Sequence, residues 1–150
     1  MPTAGFAAGP CLFRDTMQML SFNDNNFFLG HSAMLVNEGL PKFVVNRMKR
    51  RWPDLDRKTV GLLGMAFKAE SDDTRESLSY KLKKILQINA QEVLTCDPEV
   101  IDASMSSEDE VLAKADIFVI GAPHVRYKSL NYRGKPVVDV WNLLGKGGAI

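Results

Sequence analysis

The stretch Thr59–Ser77, TVGLLGMAFKAESDDTRES, decides the fold. It opens on an apolar run, Thr59-Val60-Gly61-Leu62-Leu63-Gly64, with no polar alternation. That pattern belongs to a strand buried on both faces, as in parallel sheets. A turn then gathers Lys68, Asp72, Asp73, Arg75 and Glu76, and a helix is predicted to begin near Ser77. Asp73 and Glu76 have capping-box spacing. Strand, polar loop and helix N-terminus in that order make an anion site. Backbone N–H groups converge there, the helix dipole favours negative charge, and Lys68 adds a cation. The glycines do not follow the G-x-G-x-x-G dinucleotide pattern. An ordinary strand–helix unit with a solvated charged loop is the other reading of the same residues.

Downstream the alternation continues. Leu78, Leu82, Ile85 and Leu86 form a helical stripe, and Glu92–Cys96 is a second strand ending in Asp97-Pro98. Ser107 with Glu110 starts a helix to about Lys114. Ile117–Gly121 is a third, fully apolar strand, after which Ala122-Pro123-His124 turns away. Pro136–Val140 is a fourth, running into Trp141-Asn142. Strands alternating with helices imply an α/β fold with a parallel sheet and right-handed crossovers. The predicted strand order is 2-1-3-4. The switch point then lies between the first and third strands, flanked by 64–76 and the loop after Gly121. Cys96, inside a strand, is expected to be structural.

Upstream the pattern is helical. Residues 1–10, MPTAGFAAGP, are small and apolar and run straight into Cys11, like a loop from a larger structure. Asp15 with Gln18 has N-cap spacing, which puts Cys11 just before a helix start. A thiol there can be a nucleophile whose thiolate the dipole favours. It can equally be a small hydrophobe, with Asp15 only a cap. A helical region begins around Met17 and Leu20 and is interrupted by Asn23-Asp24-Asn25-Asn26. Beyond it, Phe27, His31, Met34, Leu35 and Glu38 share one face, and Val36, Leu40, Phe43, Val44 and Met48 another. Two apolar faces on one helix predict that one meets another subunit. His31 is expected to be packed and hydrogen-bonded, not a metal ligand. Gly39-Leu40-Pro41 is expected to kink or split the helix. Arg47, Lys49, Arg50 and Arg51 end it, and Pro53-Asp54-Leu55-Asp56 reads as a linker. The chain therefore divides into a helical segment, 1–52, and an α/β domain, 53–150.

The totals narrow the function classes. With 45% hydrophobic and 25% charged residues the 150-residue chain is ordinary globular material. A net charge of +1 gives no reason to expect nucleic acid. Two cysteines make no disulfide framework, and no apolar run is long enough to cross a membrane. A soluble cytoplasmic protein is expected, with no metal site.

Taken together, these residues resemble the UDP-glucose/GDP-mannose dehydrogenase family, the nucleotide-sugar 6-dehydrogenases. GFAAGPCLFRDT at 5–16 is similar to that family's active-site cysteine segment. GLLGMAFKAESDDTRES at 61–77 is similar to the first strand and loop of its C-terminal, Rossmann-like UDP-binding domain. Cys96-Asp97-Pro98 and Asp139-Val140-Trp141-Asn142 fall at comparable strand ends. The resemblance implies oxidation of a sugar's primary alcohol to a carboxylate with two NAD⁺ per turnover, in polysaccharide precursor synthesis. It implies that Cys11 is the nucleophile, passing through a thiohemiacetal and a thioester, and that Asp15 assists water and proton transfer. It places Phe67, Lys68 and Gly9 at the nucleotide-sugar, a UDP-sugar in preference to a GDP-sugar. The helical segment becomes a remnant of the central domain and a homodimer contact.

Two departures qualify this. The family's glycine-rich loop is here Ala7-Ala8-Gly9-Pro10, and its usual Pro-Lys before the aspartate is Phe13-Arg14. The family's NAD-binding domain and catalytic lysine lie upstream of the cysteine, so NAD is expected on a preceding domain and no cofactor-binding residue on this chain. A non-catalytic module that binds a nucleotide-sugar and dimerises is the alternative.

Overall fold

The first strand is decided by burial. In the computed structural model, which describes residues 4–146, β1 (Thr59–Leu63) is buried along Val60–Leu63. It pairs in parallel with β2 (Glu92–Cys96), Val60 opposite Val93 and Leu63 opposite Cys96. On its other side it pairs in parallel with β3 (Ile117–Ile120), and β3 pairs with β4 (Val137–Asp139). The order is β2-β1-β3-β4, as the alternation of strands and helices predicts. Residues 1–3 and 147–150, the ends of the two predicted segments, lie outside the described residues.

The period of two along each strand sorts the core into two layers. Val60, Leu62, Ile117, Val119 and Val138 face one side. Leu78, Leu82 and Leu86 of α3 (Leu78–Asn89) cover them, together with Val44, Val45 and Met48 of α2 (Phe28–Arg51). Leu63, Leu94, Cys96, Phe118 and Ile120 face the other, against Val111 and Ala115 around α4 (Glu108–Lys114) and against Tyr127. Residues before position 53 thus share one core with the sheet. Burying a side chain such as Leu82 fully contributes about 2 kcal/mol.

The helical segment departs from expectation in three places. α1 (Leu12–Phe22) starts before Asp15, so Asp15 lies within the first turn and is not its cap. α2 runs through Pro41 without splitting, because Pro41 is buried in the stripe Met34, Asn37, Pro41, Val44, Met48 that packs on the domain. That stripe draws on both predicted faces. Phe28, Leu29, Leu35, Val36 and Phe43 are left exposed on the single chain. His31 is half-buried, and its ring makes no hydrogen bond among the described residues. The predicted linker is partly ordered by a short 3-10 turn, Leu55–Arg57, which buries Leu55. The interruption at 23–26 is present, with Asp24 and Asn25 at positive φ.

Candidate functional site

At the end of β1 the chain turns sharply. Gly64 has φ +92°, and a Cβ there would stand 2.6 Å from the backbone nitrogen of Ala122, so the turn requires glycine. The next two N–H groups, of Met65 and Ala66, donate to Asp97 Oδ2 at 2.6 and 3.0 Å. The N–H groups of Glu99 and Val100 donate to its other oxygen at 2.9 and 3.2 Å. Burial works against this carboxylate. The His124 hydrogen bond and the surrounding N–H groups outweigh it and hold the pKa at about 2. His124 Nδ1 accepts from the Glu70 N–H at 3.1 Å, so the ring proton sits on Nε2, 3.3 Å from Asp97 Oδ2.

Two N–H groups of the expected anion site, those of Met65 and Ala66, are therefore taken by the chain's own carboxylate. The capping box is also corrected. Ser77 caps α3, its Oγ accepting from the Ser79 N–H at 3.3 Å. Asp73 turns instead to Arg75, whose guanidinium holds its carboxyl down at about 2. Cys96 is buried as expected, and burial pushes its thiol up to about 12.

The open space lies beside this turn, under the cysteine loop. Phe6 is buried edge-on against Trp141, ring centroids 5.9 Å apart. The indole N–H of Trp141 donates to the Gly121 carbonyl at 3.1 Å. Asn37 grips Ala7 from α2, accepting its N–H at 2.9 Å and donating to its carbonyl at 2.5 Å. Gly9, at φ +126°, lies so close to the Phe67 ring that a Cβ would be 3.2 Å from it. The result is an open cleft of about 420 Å³. Ala7, Ala8 and Leu12 form one wall, Phe67 and Lys68 the other, with Pro123 and Trp141 at its end. The Lys68 ammonium is exposed and 5.3 Å from the Phe67 ring centre.

Gly9, Phe67 and Lys68 are thus brought together. Cys11 is exposed and stands at the N-cap of α1, next to Leu12 of the cleft wall. Arg14 bridges it to Asp15: its Nη2 is 3.8 Å from Cys11 Sγ, and its Nε donates to Asp15 Oδ1 at 3.2 Å. Asp15 lies outside the Lys68 cleft, on a separate open groove of about 770 Å³ with Met19, Phe22 and Phe27. Among the described residues no cluster of three or more His, Cys, Asp or Glu is placed to hold a metal.

Asn37 and His124 are site-shaping residues that sequence reasoning did not single out, and Asp97 was named only as a strand end. Asn37 carried one signal, a polar residue on the apolar stripe that includes Met34, Pro41 and Val44. For His124 there was none beyond its place after a buried strand.

Comparison with known proteins fits this arrangement. Residues 61–146 match the UDP-glucose/GDP-mannose dehydrogenase family, UDP binding domain. A UDP-N-acetyl-D-mannosamine dehydrogenase from Pyrococcus horikoshii is 31% identical over 147 residues, covering 91% of this chain and 35% of that protein. The solved structure of the UDP-D-ManNAc dehydrogenase from the same organism superposes with a TM-score of 0.83 at 28% identity, over 95% of this chain and 36% of that one. The GDP-mannose dehydrogenase of Pseudomonas aeruginosa gives 0.74 at 26% identity, over 95% and 38%. The chain spans about a third of the length of the relatives it matches. With residues 61–146 matching and the sheet order in place, the chain belongs to the UDP-glucose/GDP-mannose dehydrogenase family through that family's UDP-binding domain.

Proposed function

We propose that this chain is the C-terminal, nucleotide-sugar-binding part of an NAD-dependent nucleotide-sugar dehydrogenase, with 1–52 carrying the nucleophile and 53–150 the UDP-binding domain. One observation carries the reading: Gly9 packs on Phe67, so the cysteine loop and the Lys68 loop share one cleft. Lys68 meets the diphosphate as a point charge, and Phe67 lies under it. The methyl groups of Ala7 and Ala8 and the side chain of Leu12 make the opposite wall apolar. An N-acetylated sugar suits that wall, in keeping with the names of the relatives. A UDP-sugar is the expected ligand in preference to a GDP-sugar.

Cys11 acts as the nucleophile, its sulfur adding to the carbon of a sugar aldehyde to give a thiohemiacetal. After oxidation to the thioester, water completes release of the uronic acid. Asp15, which lines the neighbouring groove and is linked to Cys11 through Arg14, is the group the resemblance assigns to the proton of that water. The family resemblance puts the hydride acceptor on a preceding domain, and the Met65 and Ala66 N–H groups at the β1 turn are held by Asp97. Free thiols at Cys11 and Cys96 suit a reducing, cytoplasmic setting, and among the described residues no helix is long and apolar enough to cross a membrane.

Thermal unfolding with UDP-N-acetylhexosamines tests the reading. Binding to the folded state raises the melting temperature, and Lys68→Ala abolishes the rise. No rise at high ligand concentration, or the same rise in the variant, removes the ligand claim. The 150-residue chain alone is expected to reduce no NAD⁺, and steady NADH production by it would overturn the division of labour. A second reading, a non-catalytic binding and dimerisation module, is favoured by the exposed apolar face of α2.

A further inference from the structure

Asn37 is in an unusual position for its type. It sits in the middle of a 24-residue helix and is 92% buried, with a relative exposure of 8%. Asparagine weakens helix interiors, and a buried amide that is not fully paired costs more. Here both halves of the amide are paired, and to one residue: the Ala7 N–H at 2.9 Å and the Ala7 carbonyl at 2.5 Å. The pairing mimics one rung of a sheet. Residues 5–9 have no regular structure, and among the described residues these two bonds are the hydrogen bonds that tie 4–10 to the rest of the chain. The other restraints are packing contacts, Phe6 buried in the main core and edge-on to Trp141, and Gly9 on Phe67, which are less directional than a hydrogen bond. A two-point bond fixes both position and rotation.

We propose that Asn37 is a positioning residue: from α2 it sets the cysteine loop, and so fixes the apolar wall of the cleft and the point at which Cys11 is presented. Its effect on ligand affinity rests on the nucleotide-sugar reading above, and its effect on the loop does not. The chemistry allows a selective test. In Asn37→Asp one oxygen still accepts the Ala7 N–H. The other, ionised, faces the Ala7 carbonyl oxygen, a lone-pair clash that detaches the loop. Protonating that carboxyl restores a donor. Asn37→Ser removes the reach altogether and shortens the side chain without adding charge.

Amide hydrogen exchange read residue by residue, each variant compared with wild type at the same pH, follows the Ala7 N–H against Val60 and Leu62 in β1. Cys11 trapping by dithiodipyridine, which reports thiols in acid as well, follows presentation. Calorimetry with a UDP-N-acetylhexosamine follows the cleft. At pH 7.5 both variants should lose Ala7 protection by about tenfold or more and bind about tenfold more weakly, with β1 unchanged. The Cys11 trapping rate should change by several-fold. At pH 4.5, Asn37→Asp should return towards wild type in exchange and trapping, and Asn37→Ser should not. Unchanged Ala7 protection in both variants overturns the proposal. So does a loss at Ala7 matched by an equal loss in β1, which marks a merely structural role. Failure of the wild type to bind any UDP-sugar would sink the nucleotide-sugar reading, while exchange and trapping still decide Asn37.

Discussion

Glu70 is bonded to both His124 and its neighbour Val125, across 54 and 55 residues of sequence. The Glu70 N–H donates to His124 Nδ1 at 3.1 Å, and Glu70 Oε1 accepts the Val125 N–H at 2.7 Å. This latches the loop bearing Phe67 and Lys68 to the loop after β3. His124→Phe keeps the edge contact with Tyr127, where the rings lie 5.4 Å apart, but leaves the buried Asp97 without its side-chain donor. Urea unfolding should show a loss of about 2 kcal/mol, with weaker UDP-sugar binding. Glu70→Gln retains an acceptor for Val125 and should cost less than about 0.5 kcal/mol. Equal effects from the two substitutions would show that the latch does not work through the imidazole.

Asp97 makes stability depend on acid. Its side chain is 0% exposed, and its folded-state pKa of about 2 lies below the ordinary 3.8. A depressed carboxylate contributes stability that is fully present above the unfolded value and is lost as pH falls through the folded one. Between about pH 5 and pH 2 the chain should lose about 2 kcal/mol from this group. Asp97→Asn should flatten that part of the profile. It should also be less stable at pH 7, since its NH₂ would oppose the N–H groups of either Met65 and Ala66 or Glu99 and Val100. An unchanged acid limb in Asp97→Asn would assign the pH dependence to other carboxylates.

Two glycines should respond in opposite directions to alanine. Gly39 lies exposed inside α2 with nothing within 4 Å of a built Cβ on the single chain, so at concentrations where the chain is monomeric Gly39→Ala should stabilise by about 0.5–1 kcal/mol. Gly64→Ala combines φ +92° with a 2.6 Å approach to the Ala122 backbone and should cost more than about 2 kcal/mol. Thermal melts of the two variants check both signs.

Most of the fold was legible because buried parallel strands are apolar runs: β1 and β3 are nearly continuous ones, while β2 carries Glu92 and Thr95 and β4 ends in Asp139. The helix caps at Ser77 and Ser107 show where local chemistry was decisive and where it was not. Ser107 caps α4 as its spacing predicts, accepting the Glu110 N–H at 3.2 Å. Asp73 lost the α3 cap because Arg75 competed for its carboxylate and Ser77 stood closer to the helix. Pro41 did not break α2, because tertiary burial outweighed the lost hydrogen bond. In the site, Gly9 and Phe67 were named from the resemblance and Lys68 also from its charge in the loop before a helix; the fold brings the three side by side. The Asp97–His124–Glu70 network and the Asn37–Ala7 pair were not legible, since each joins residues 27 or more apart and no local pattern encodes them.

The exposed face of α2 yields the remaining prediction. Leu29, Val36 and Phe43 recur every seven residues and are 81%, 68% and 56% exposed. Ser32 and Gly39 fall between them, small enough to let a second helix approach closely. On the reading that a second copy covers this face, two α2 helices pack along that seam, an arrangement a two-fold dimer allows. Val36→Glu places a charge at its centre without touching the buried stripe of Met34, Asn37, Val44 and Met48. Sedimentation equilibrium should find a dimer for the wild type and a monomer for Val36→Glu, with the circular dichroism of the two unchanged. The melting temperature of the wild type should rise with protein concentration and that of the variant should not. A wild type that stays monomeric at high concentration, or a Val36→Glu protein that still dimerises, would show that this seam does not join two copies of the chain.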